Sequence, residues 1–312
     1  SWFIMPVLII YPFISVEWLP YRYSKISLII FSSFRFLLYV YNMEASPLIS
    51  ILMPVYNGIP QMEISIKSLL WQTYTNWECI IINDGSTDET KQYLEKIEDS
   101  RFKVFHLKQN KGRGYARQEA LIKATGKYIA YLDADDWYDP NKLYKQVSFL
   151  EAHKNVSLVS CGILSYGIKC GITRVRGKGD NSIQLFSIDN CSIMCAASMI
   201  RREATEGINY NITLNSGEDI DFFSRCLKGR KYSALNEVLY YYSEFDSMSL
   251  RKMQKSSKDI FLREKNIKNL FRLIYYYSVA PLIGINAVVS MRGEETTIKE
   301  RMKYEQLMGE LY

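Results

Sequence analysis

Residues 131–138 read Tyr-Leu-Asp-Ala-Asp-Asp-Trp-Tyr, so an apolar run ends abruptly in three carboxylates. Residues 127–132 have the composition of a β-strand, and Asp133 follows its C-terminal end. In sheets that alternate strands and helices, the ligand crevice opens at that end. Asp133 and Asp135 face the same way on an extended chain, so both could reach one hard cation or its water shell. Taken alone, the pattern is more often a solvated turn, because Asp and Pro140 are common turn formers.

The chain before this stretch alternates between apolar runs and segments with helical spacing of apolar residues. The predicted strands are residues 48–54, 77–82, 102–107 and 127–132, and the predicted helices are residues 61–72, 89–98 and 115–124. Continuous apolar runs are typical of parallel strands that are buried on both faces. The alternation therefore predicts an α/β fold, a doubly wound and mostly parallel sheet flanked by helices. Ser86 or Thr87 is expected to cap the second helix.

Beyond residue 140 the pattern is looser, but a second acidic cluster is present. The predicted elements there are a helix at residues 142–153, strands at 157–165 and 238–242, and a loop or hairpin at 167–179. Residues 216–221, Ser-Gly-Glu-Asp-Ile-Asp, are expected to open a helix. Acidic residues in a first helical turn often serve only the helix dipole. Together with Asp84 and Asp133, which follow strands of one sheet, they indicate a metal-assisted site for a phosphorylated ligand.

Composition indicates a globular protein and argues against several kinds of site. The 312 residues are 48% hydrophobic and 23% charged, which suits one large α/β domain with an appendage, or two small domains. The six cysteines show no Cys-x-x-Cys spacing and are interpreted as reduced core thiols of a cytosolic protein. Two isolated histidines argue against a zinc site or a histidine-based triad. The sequence contains neither a Walker-type phosphate loop nor a Gly-x-Gly-x-x-Gly fingerprint.

The net charge of +6 is a local feature. Residues 251–272 hold eight Lys or Arg against two acidic residues, which accounts for the whole surplus. This distribution argues against a nucleic-acid-binding surface spread over the fold. A basic helix with a bulky apolar face is typical of a membrane-surface element, and an ordinary helix packed on the domain is the alternative.

Three regions are expected along the chain. Residues 1–42 form a hydrophobic N-terminal extension, either a membrane segment or an upstream extension with no role in the fold. Residues 43–250 form the α/β domain, and residues 251–312 form a basic and amphipathic helical region. The apolar positions of its last helix that are expected to pack or to mediate a homodimer are Ile298, Met302, Leu307 and Leu311.

Five short motifs follow one another in the α/β domain. They are Ile-Ser-Ile-Leu-Met-Pro-Val-Tyr-Asn-Gly (49–58), Ile-Ile-Asn-Asp-Gly-Ser-Thr-Asp (81–88), Asn-Lys-Gly-x-x-x-Ala-Arg (110–117), Tyr-Leu-Asp-Ala-Asp-Asp (131–136) and Gly-Glu-Asp (217–219). In this order they resemble the family 2 glycosyltransferases, over residues 47–245. The ordered set is specific, whereas any single motif is not. The resemblance implies the GT-A fold.

The resemblance also implies a nucleotide-sugar site at the first three motifs. Pro54, Tyr56 and Asp84 would hold the nucleotide base, usually uracil, with Asp84 accepting a hydrogen bond from a ring N–H. Lys111 and Arg117 would border the phosphates and the sugar. The donor is accordingly expected to be a UDP-sugar.

A cation and a general base are implied by the last two motifs. Asp133 and Asp135 would form the Asp-x-Asp motif, with Asp135 as the direct ligand of Mn²⁺ or Mg²⁺ and Asp133 binding ribose or supporting the metal. Asp219 would deprotonate the acceptor hydroxyl, with Glu218 beside it. The cation would offset charge on the departing diphosphate while the hydroxyl attacks from the opposite face, so a single displacement would invert the anomeric configuration.

The sequence departs from the family pattern at three points. The usual Asp-Asp-Gly-Ser begins here with Asn83, which is a mild change if Asp84 makes the base contact. No Gln-x-x-Arg-Trp follows Asp219, and because processive members carry that motif, the chain is expected to add one sugar per visit. No histidine follows Asp219 either, so water or the diphosphate would complete the metal shell.

The expected partners are a nucleotide-sugar donor and a saccharide or lipid-diphosphate-linked acceptor of bacterial surface-polysaccharide synthesis. The expected location is the cytoplasmic face of the inner membrane, as a peripheral protein, or alternatively the cytoplasm. No nucleic acid is expected to be bound. One alternative is a metal-dependent nucleotidyltransferase, which should carry a glycine-rich and basic signature that residues 55–60 lack. The other is a catalytically silent nucleotide-sugar-binding scaffold, against which the presence of Asp135 and Asp219 argues.

Overall fold

The computed structural model describes residues 46–167, 171–187, 193–214, 216–243 and 298–311, and the single residues 254, 257, 258, 270, 274 and 277. The compact unit that carries the sheet runs from Pro47 to Tyr312. The predictions for residues 1–42, and nearly all of those for the basic run 251–272, fall outside the described residues.

The described residues contain one ten-stranded sheet with helices around it. The strands are β1 Ile49–Val55, β2 Trp77–Asn83, β3 Phe102–His106, β4 Tyr128–Tyr131, β5 Trp137–Tyr138, β6 Val156–Gly167, β7 Gly171–Arg176, β8 Ile183–Leu185, β9 Met199–Arg201 and β10 Lys231–Ser243. The helices are α1 Met62–Leu70, α2 Thr90–Leu94, α3 Arg113–Lys123, α4 Lys142–Ala152, α5 Glu218–Cys226 and α6 Ile298–Leu311. The α/β prediction is confirmed, with most element ends shifted by one or two residues.

The sheet has a parallel half and a mixed half. Its main path runs β3-β2-β1-β4-β9-β6-β10-β5, and the first four strands are mutually parallel, as predicted. The short strand β9 is antiparallel to both of its neighbours, whereas β6 and β10 are parallel to each other. The glycine-rich segment forms a hairpin of β6 and β7, which agrees with the prediction for residues 167–179.

The three inner parallel strands, β1, β2 and β4, are buried on both faces. Along β1, Ile51 and Met53 belong to the apolar cluster on one face, and Leu52 belongs to the cluster on the other. The same alternation continues on β2, where Ile81 and Ile82 lie on opposite faces. Because successive side chains of a strand point to opposite faces, burial of both faces requires the continuous apolar runs in the sequence.

The second helix is shorter than predicted, and its predicted hydroxyl caps are wrong. Ser86 Oγ accepts a hydrogen bond from the Asn57 backbone N–H at 2.9 Å, and the Thr87 backbone N–H donates to Asn57 Oδ1 at 2.9 Å. Asp88 Oδ1 accepts from the Thr90 N–H at the helix start instead. Ser86 and Thr87 therefore join two loops rather than cap α2.

Helix α6 packs beside the short strand β5. The ring of Tyr304 lies 6.0 Å from that of Trp137, which itself stacks on Tyr241 at 3.8 Å. Leu307 is buried in the same cluster, as predicted for packing, whereas Met302 is 65% exposed and does not pack. Among the described helices, none combines the length and the apolar character needed to cross a bilayer.

A buried carboxylate joins three strands at the amino-terminal edge of the sheet. Glu78 on β2 accepts hydrogen bonds from the Ser50 hydroxyl at 2.6 Å and from the backbone and side chain of Thr125, and Lys103 on β3 lies 2.5 Å away. Burial alone would raise the pKa of Glu78, but the bonds from Lys103, Ser50 and Thr125 lower it to about 2. A Cβ at Gly126 would lie 2.6 Å from the Ser50 backbone nitrogen, so only glycine fits this turn.

We expect Glu78→Gln to lower the free energy of unfolding by roughly 1–3 kcal/mol at pH 7, because an amide cannot accept all of these bonds as a charged group does. The folded pKa of Glu78 lies below its ordinary value of 4.5, so its contribution is present above pH 4.5 and is lost as the pH falls toward 2. Urea denaturation at pH 7 and pH 3 should show the difference between variant and wild type shrinking. Glu95→Gln, at an exposed Lys91–Glu95 pair, is the matched control and should change little. A constant difference across this pH range would contradict the assignment.

Candidate functional site

The carboxyl ends of three parallel strands lie side by side and form a crevice. Val55 at the end of β1 pairs with Asn83 at the end of β2, and Leu52 pairs with Tyr131 at the end of β4. The loops after these strands carry the residues of the first, second and fourth motifs. Parallel sheets open their ligand crevice at this edge.

The loop after β1 is fixed by the loop after β2, and it exposes the ring of Tyr56. Asn57 has a left-handed backbone with φ of 51°, and it exchanges hydrogen bonds with both hydroxyl residues of the second loop. The Gly58 N–H donates to Thr90 Oγ1 at 2.9 Å. Next to this clamp, Tyr56 is 48% exposed, while Pro54 is partly buried within β1. Tyr56 is therefore available to a ligand over the first loop.

Asp84 organises the loop that leads into α3. Its two carboxylate oxygens accept hydrogen bonds from the backbone N–H groups of Lys111 at 2.7 Å and Gly112 at 2.8 Å. The side chain is almost fully buried. A Cβ at Gly85, which has φ of +68°, would lie 2.4 Å from the carbonyl carbon of Gln109, so glycine is required at this close approach. The predicted contact of Asp84 with a nucleotide base would use its remaining lone pairs, and that contact stays a prediction.

The Lys111 ammonium is directed along the start of α3. Its Nζ lies 4.3 Å from the centre of the Tyr115 ring and 3.3 Å from the Tyr115 hydroxyl. The Lys111 residue is exposed, so its charge faces the solvent side of the crevice.

The Arg117 guanidinium joins the fourth and fifth motifs. It is 7% exposed, and it donates from Nη2 to Asp133 Oδ1 at 2.9 Å and from Nη1 to Glu218 Oε1 at 2.7 Å. Burial would lower the pKa of Arg117, but the carboxylates of Asp133, Asp219 and Glu218 raise it well above its ordinary value. Arg117 is therefore a permanent cation that holds the loop after β4 against the first turn of α5.

Arg113 is a member of this cluster that was not predicted from the sequence. Its Nε lies 2.6 Å from Glu218 Oε1, and its side chain is 58% exposed. Arg113 and Arg117 stand four residues apart on α3, so they share one helix face, and this spacing is the signal that could have identified Arg113. Glu218 Oε2 is buried without a hydrogen-bond partner among the described residues.

The two acidic residues at the start of α5 have different environments. Gly217 takes a left-handed backbone with φ of 72°, and the helix begins at Glu218. Glu218 is fully buried, whereas Asp219 is partly exposed and accepts a hydrogen bond from the Ile220 N–H at 2.8 Å. The structure thus places Glu218 under the crevice and leaves the Asp219 carboxylate within reach of solvent.

The three aspartates after β4 also differ in exposure. Asp133 and Asp135 are partly exposed, but Asp136 is fully buried and accepts from the Tyr240 hydroxyl at 2.6 Å and the Ser243 N–H at 2.9 Å. Burial, together with the charges of Asp135 and Asp133, raises the pKa of Asp136 well above its ordinary value. Asp136 therefore fixes the loop to the end of β10, whereas Asp133 and Asp135 keep part of their surface exposed to solvent.

The donor set suits a cation whose shell is completed by a bound ligand. Within the part of the chain that the structure describes, no group of three or more His, Cys, Asp or Glu side chains is arranged to hold a metal ion. Asp133 and Asp135 offer carboxylate oxygens from one loop. Mg²⁺ is commonly bound by one or two carboxylates together with substrate phosphates and water, and these two residues fit that arrangement.

Comparisons with known proteins give a consistent assignment. A family model described as Glycosyl transferase family 2 matches residues 50–238, more than half of the chain. The chain is 30% identical over 243 residues to the UDP-Glc:alpha-D-GlcNAc-diphosphoundecaprenol beta-1,3-glucosyltransferase WfgD of Escherichia coli, covering 76% of this chain and 94% of that protein. It is 33% identical over 250 residues to an uncharacterized glycosyltransferase of Haemophilus influenzae, covering 74% of this chain and 94% of that protein.

Solved structures show the same fold. The structure of S. aureus TarS 1-349 in complex with UDP-GlcNAc matches with a TM-score of 0.56 at 19% identity, covering 84% of this chain and 80% of that chain. Its fold is the GT-A fold that the five motifs imply, and the predicted fold class is confirmed.

We expect Arg117→Ala to lower the free energy of unfolding by roughly 3–5 kcal/mol, because it removes the buried partner of Glu218 and Asp133 and leaves the buried Glu218 with only the exposed Arg113. Arg225→Ala is the matched control, since Arg225 pairs with Asp221 on the surface of α5 and its loss should cost less than about 1 kcal/mol. Urea denaturation followed by circular dichroism measures both. Equal losses for the two variants would show that the Arg117 bridge does not support the fold.

Proposed function

The chain belongs to glycosyl transferase family 2, and we propose that it moves one sugar from a UDP-sugar to a hydroxyl of a lipid-diphosphate-linked saccharide. The observation that carries this proposal is the Arg117 bridge, which sets the Asp-x-Asp loop at Asp133 beside the first turn of α5, where Asp219 stands. The loop at Asp133, which would bind the diphosphate, and Asp219, which can accept a proton, are then linked through the Arg117 guanidinium.

The choice of donor and acceptor is supported by the Escherichia coli relative. The name of that enzyme specifies UDP-Glc as donor, an α-D-GlcNAc-diphosphoundecaprenol acceptor and a β-1,3 linkage. Transfer from an α-linked nucleotide sugar to a β-linked product inverts the anomeric configuration. One displacement with a single base accounts for inversion, and it needs no covalent nucleophile.

In the proposed reaction, Asp219 accepts the proton of the acceptor hydroxyl. The hydroxyl oxygen attacks the anomeric carbon, the bond between that carbon and the diphosphate oxygen breaks, and UDP leaves. The partial exposure of Asp219 lets a substrate hydroxyl reach it, and Arg117 contributes a fixed positive charge near it. Glu218 is assigned a positioning role rather than a proton-transfer role, because it is fully buried and bound to Arg113 and Arg117.

The donor would be held along the first three loops. Tyr56 is exposed for contact with the base, while Pro54 and Asp84 shape the crevice beneath it. Lys111 places an ammonium group at the edge where the phosphates would lie. Arg117 orients the Asp133 carboxylate, which would then face the ribose or the cation.

Asp135, supported by Asp133, would hold Mn²⁺ or Mg²⁺ together with the donor diphosphate. Such a cation supplies charge neutralisation of the departing diphosphate. The loop itself is preorganised, since Ser65 Oγ lies 2.9 Å from the Ala134 carbonyl oxygen and 2.5 Å from that of Asp136. Because the loop is already ordered, less free energy is lost in ordering its carboxylates when the cation binds.

A lipid-linked acceptor would place the protein at the cytoplasmic face of the membrane as a peripheral protein. The basic run at residues 251–272 supports this location, since basic residues near an anionic leaflet each contribute about 1 kcal/mol to binding. A homodimer through the C-terminal helix is compatible with the exposed Met302.

We expect Asp219→Asn to reduce kcat for sugar transfer by roughly 10²–10⁴-fold, because the amide cannot accept the proton. The KM for the UDP-sugar should change little. Asp221→Asn is the matched control: it lies two residues later in the same turn and is paired with Arg225. Transfer to a lipid-diphosphate GlcNAc, followed by UDP release, measures both variants. A fully active Asp219→Asn would remove the assignment of the base.

Metal dependence has a separate test. EDTA should abolish transfer, and added Mn²⁺ or Mg²⁺ should restore it. Asp135→Asn should weaken Mn²⁺ binding in the presence of UDP, measured directly by titration calorimetry, whereas Asp180→Asn on an exposed loop should not. Equal Mn²⁺ affinity in wild type and Asp135→Asn would contradict the proposed ligand.

A further inference from the structure

Arg113 is held in a fixed position but remains open to the solvent. Its Nε is anchored 2.6 Å from Glu218 Oε1, and Glu218 is itself fully buried. The 58% exposure of the Arg113 side chain leaves its two Nη groups for another partner. A guanidinium has five N–H donors in a rigid fork, so one anchored donor orients the other four.

The contact with Glu218 does not fully neutralise the charge of Arg113. Oxygen Oε1 of Glu218 is shared, because it also accepts from Arg117 Nη1 at 2.7 Å. Two guanidinium groups therefore depend on one carboxylate, although Arg117 has Asp133 as a second partner. An anionic group that approaches Arg113 from the solvent would complete its coordination.

Arg113 contacts the first turn of α5, which also carries the proposed base Asp219. Glu218 is the chain neighbour of Asp219, and Arg113 contacts Glu218, whereas Asp133 is reached only through Arg117. Asp133 of the donor loop therefore contacts Arg117, Arg117 contacts Glu218, and Glu218 contacts Arg113. A substrate whose hydroxyl reaches Asp219 would pass close to this cation.

An exposed apolar side chain stands beside the same turn of α3. Gln118 on α3 accepts a hydrogen bond from the Tyr210 N–H at 2.7 Å, and a Cβ at Gly114 would lie 3.7 Å from the Asn211 carbonyl oxygen. Ile212 follows directly in this loop and is 53% exposed. A cation next to an exposed apolar group matches a lipid diphosphate better than a nucleotide diphosphate, which carries no lipid chain.

We propose that Arg113 binds the diphosphate of the lipid-linked acceptor and thereby selects acceptors that carry one. The inference rests on the proposed function. Diphosphate oxygens match the guanidinium fork in a bidentate manner. The exposed Ile212, which follows Asn211 in the loop beside Gly114, would offer an apolar contact to the start of the lipid chain. Arg113 is then a specificity-determining residue for the acceptor, separate from the groups that hold the donor.

The test compares two acceptors that differ only in the diphosphate. One is a synthetic α-GlcNAc diphosphate with an alkyl chain, and the other is the alkyl α-GlcNAc glycoside with the same chain. With UDP-Glc as donor, Arg113→Gln should raise KM for the first acceptor by roughly tenfold to hundredfold, as expected for a charged hydrogen bond. KM for the second acceptor and for UDP-Glc should stay within about twofold, and Arg113→Lys should be intermediate. Arg202→Gln is the matched control, because Arg202 is exposed and its Nε donates to the Gly126 carbonyl at the opposite edge of the sheet.

Direct binding keeps this test separate from the proposed function. Calorimetry without any donor can measure how tightly the α-GlcNAc diphosphate with the alkyl chain binds to wild type and to Arg113→Gln. Weaker binding by the variant supports the inference even if UDP-Glc is not turned over. Equal affinity, an equal change of KM for both acceptors, or a raised KM for UDP-Glc would overturn it.

Discussion

The contact of the Arg117 guanidinium with Asp133 and Glu218 is the interaction on which the crevice depends. It joins the loop after β4, the helix α3 and the first turn of α5, and its two carboxylate partners are otherwise far apart in the chain. A buried charge is costly unless it is paired, so the three groups stabilise one another only as a set. The placement of the loop after β4 relative to the first turn of α5 therefore depends on one side chain.

Around this contact, exposure separates the acidic residues by role. Asp84 and Asp136 are buried and accept hydrogen bonds from backbone and side-chain donors, and thus fix the loops of the crevice. Asp135 and Asp219 are partly exposed and remain within reach of a ligand. Aspartates of one small region thus divide by burial into a group that fixes loops and a group that is accessible to solvent.

The parallel half of the sheet could be predicted from sequence because burial on both faces leaves continuous apolar runs. Strand β9, Met199–Arg201, has three residues, which is too short for any periodicity to be visible. The partners of Arg117 were not predictable either, because Glu218 lies 101 residues away in the chain. Motifs selected the candidate site residues, whereas the ion pairs among them, and the inclusion of Arg113, depend on tertiary packing. The buried role of Asp136 likewise depends on Tyr240 of a distant strand.

The two ends of the sheet bear on the risk of edge-to-edge aggregation. An exposed strand edge offers unpaired N–H and C=O groups to other chains, and natural proteins shorten such edges, charge them or cover them. Strand β5 at one edge has only two residues, and α6 packs beside it through Tyr304. Strand β3 at the other edge has five residues and carries Lys103. Removal of α6 would therefore uncover aromatic surface at an open edge, so this helix also protects the protein against aggregation.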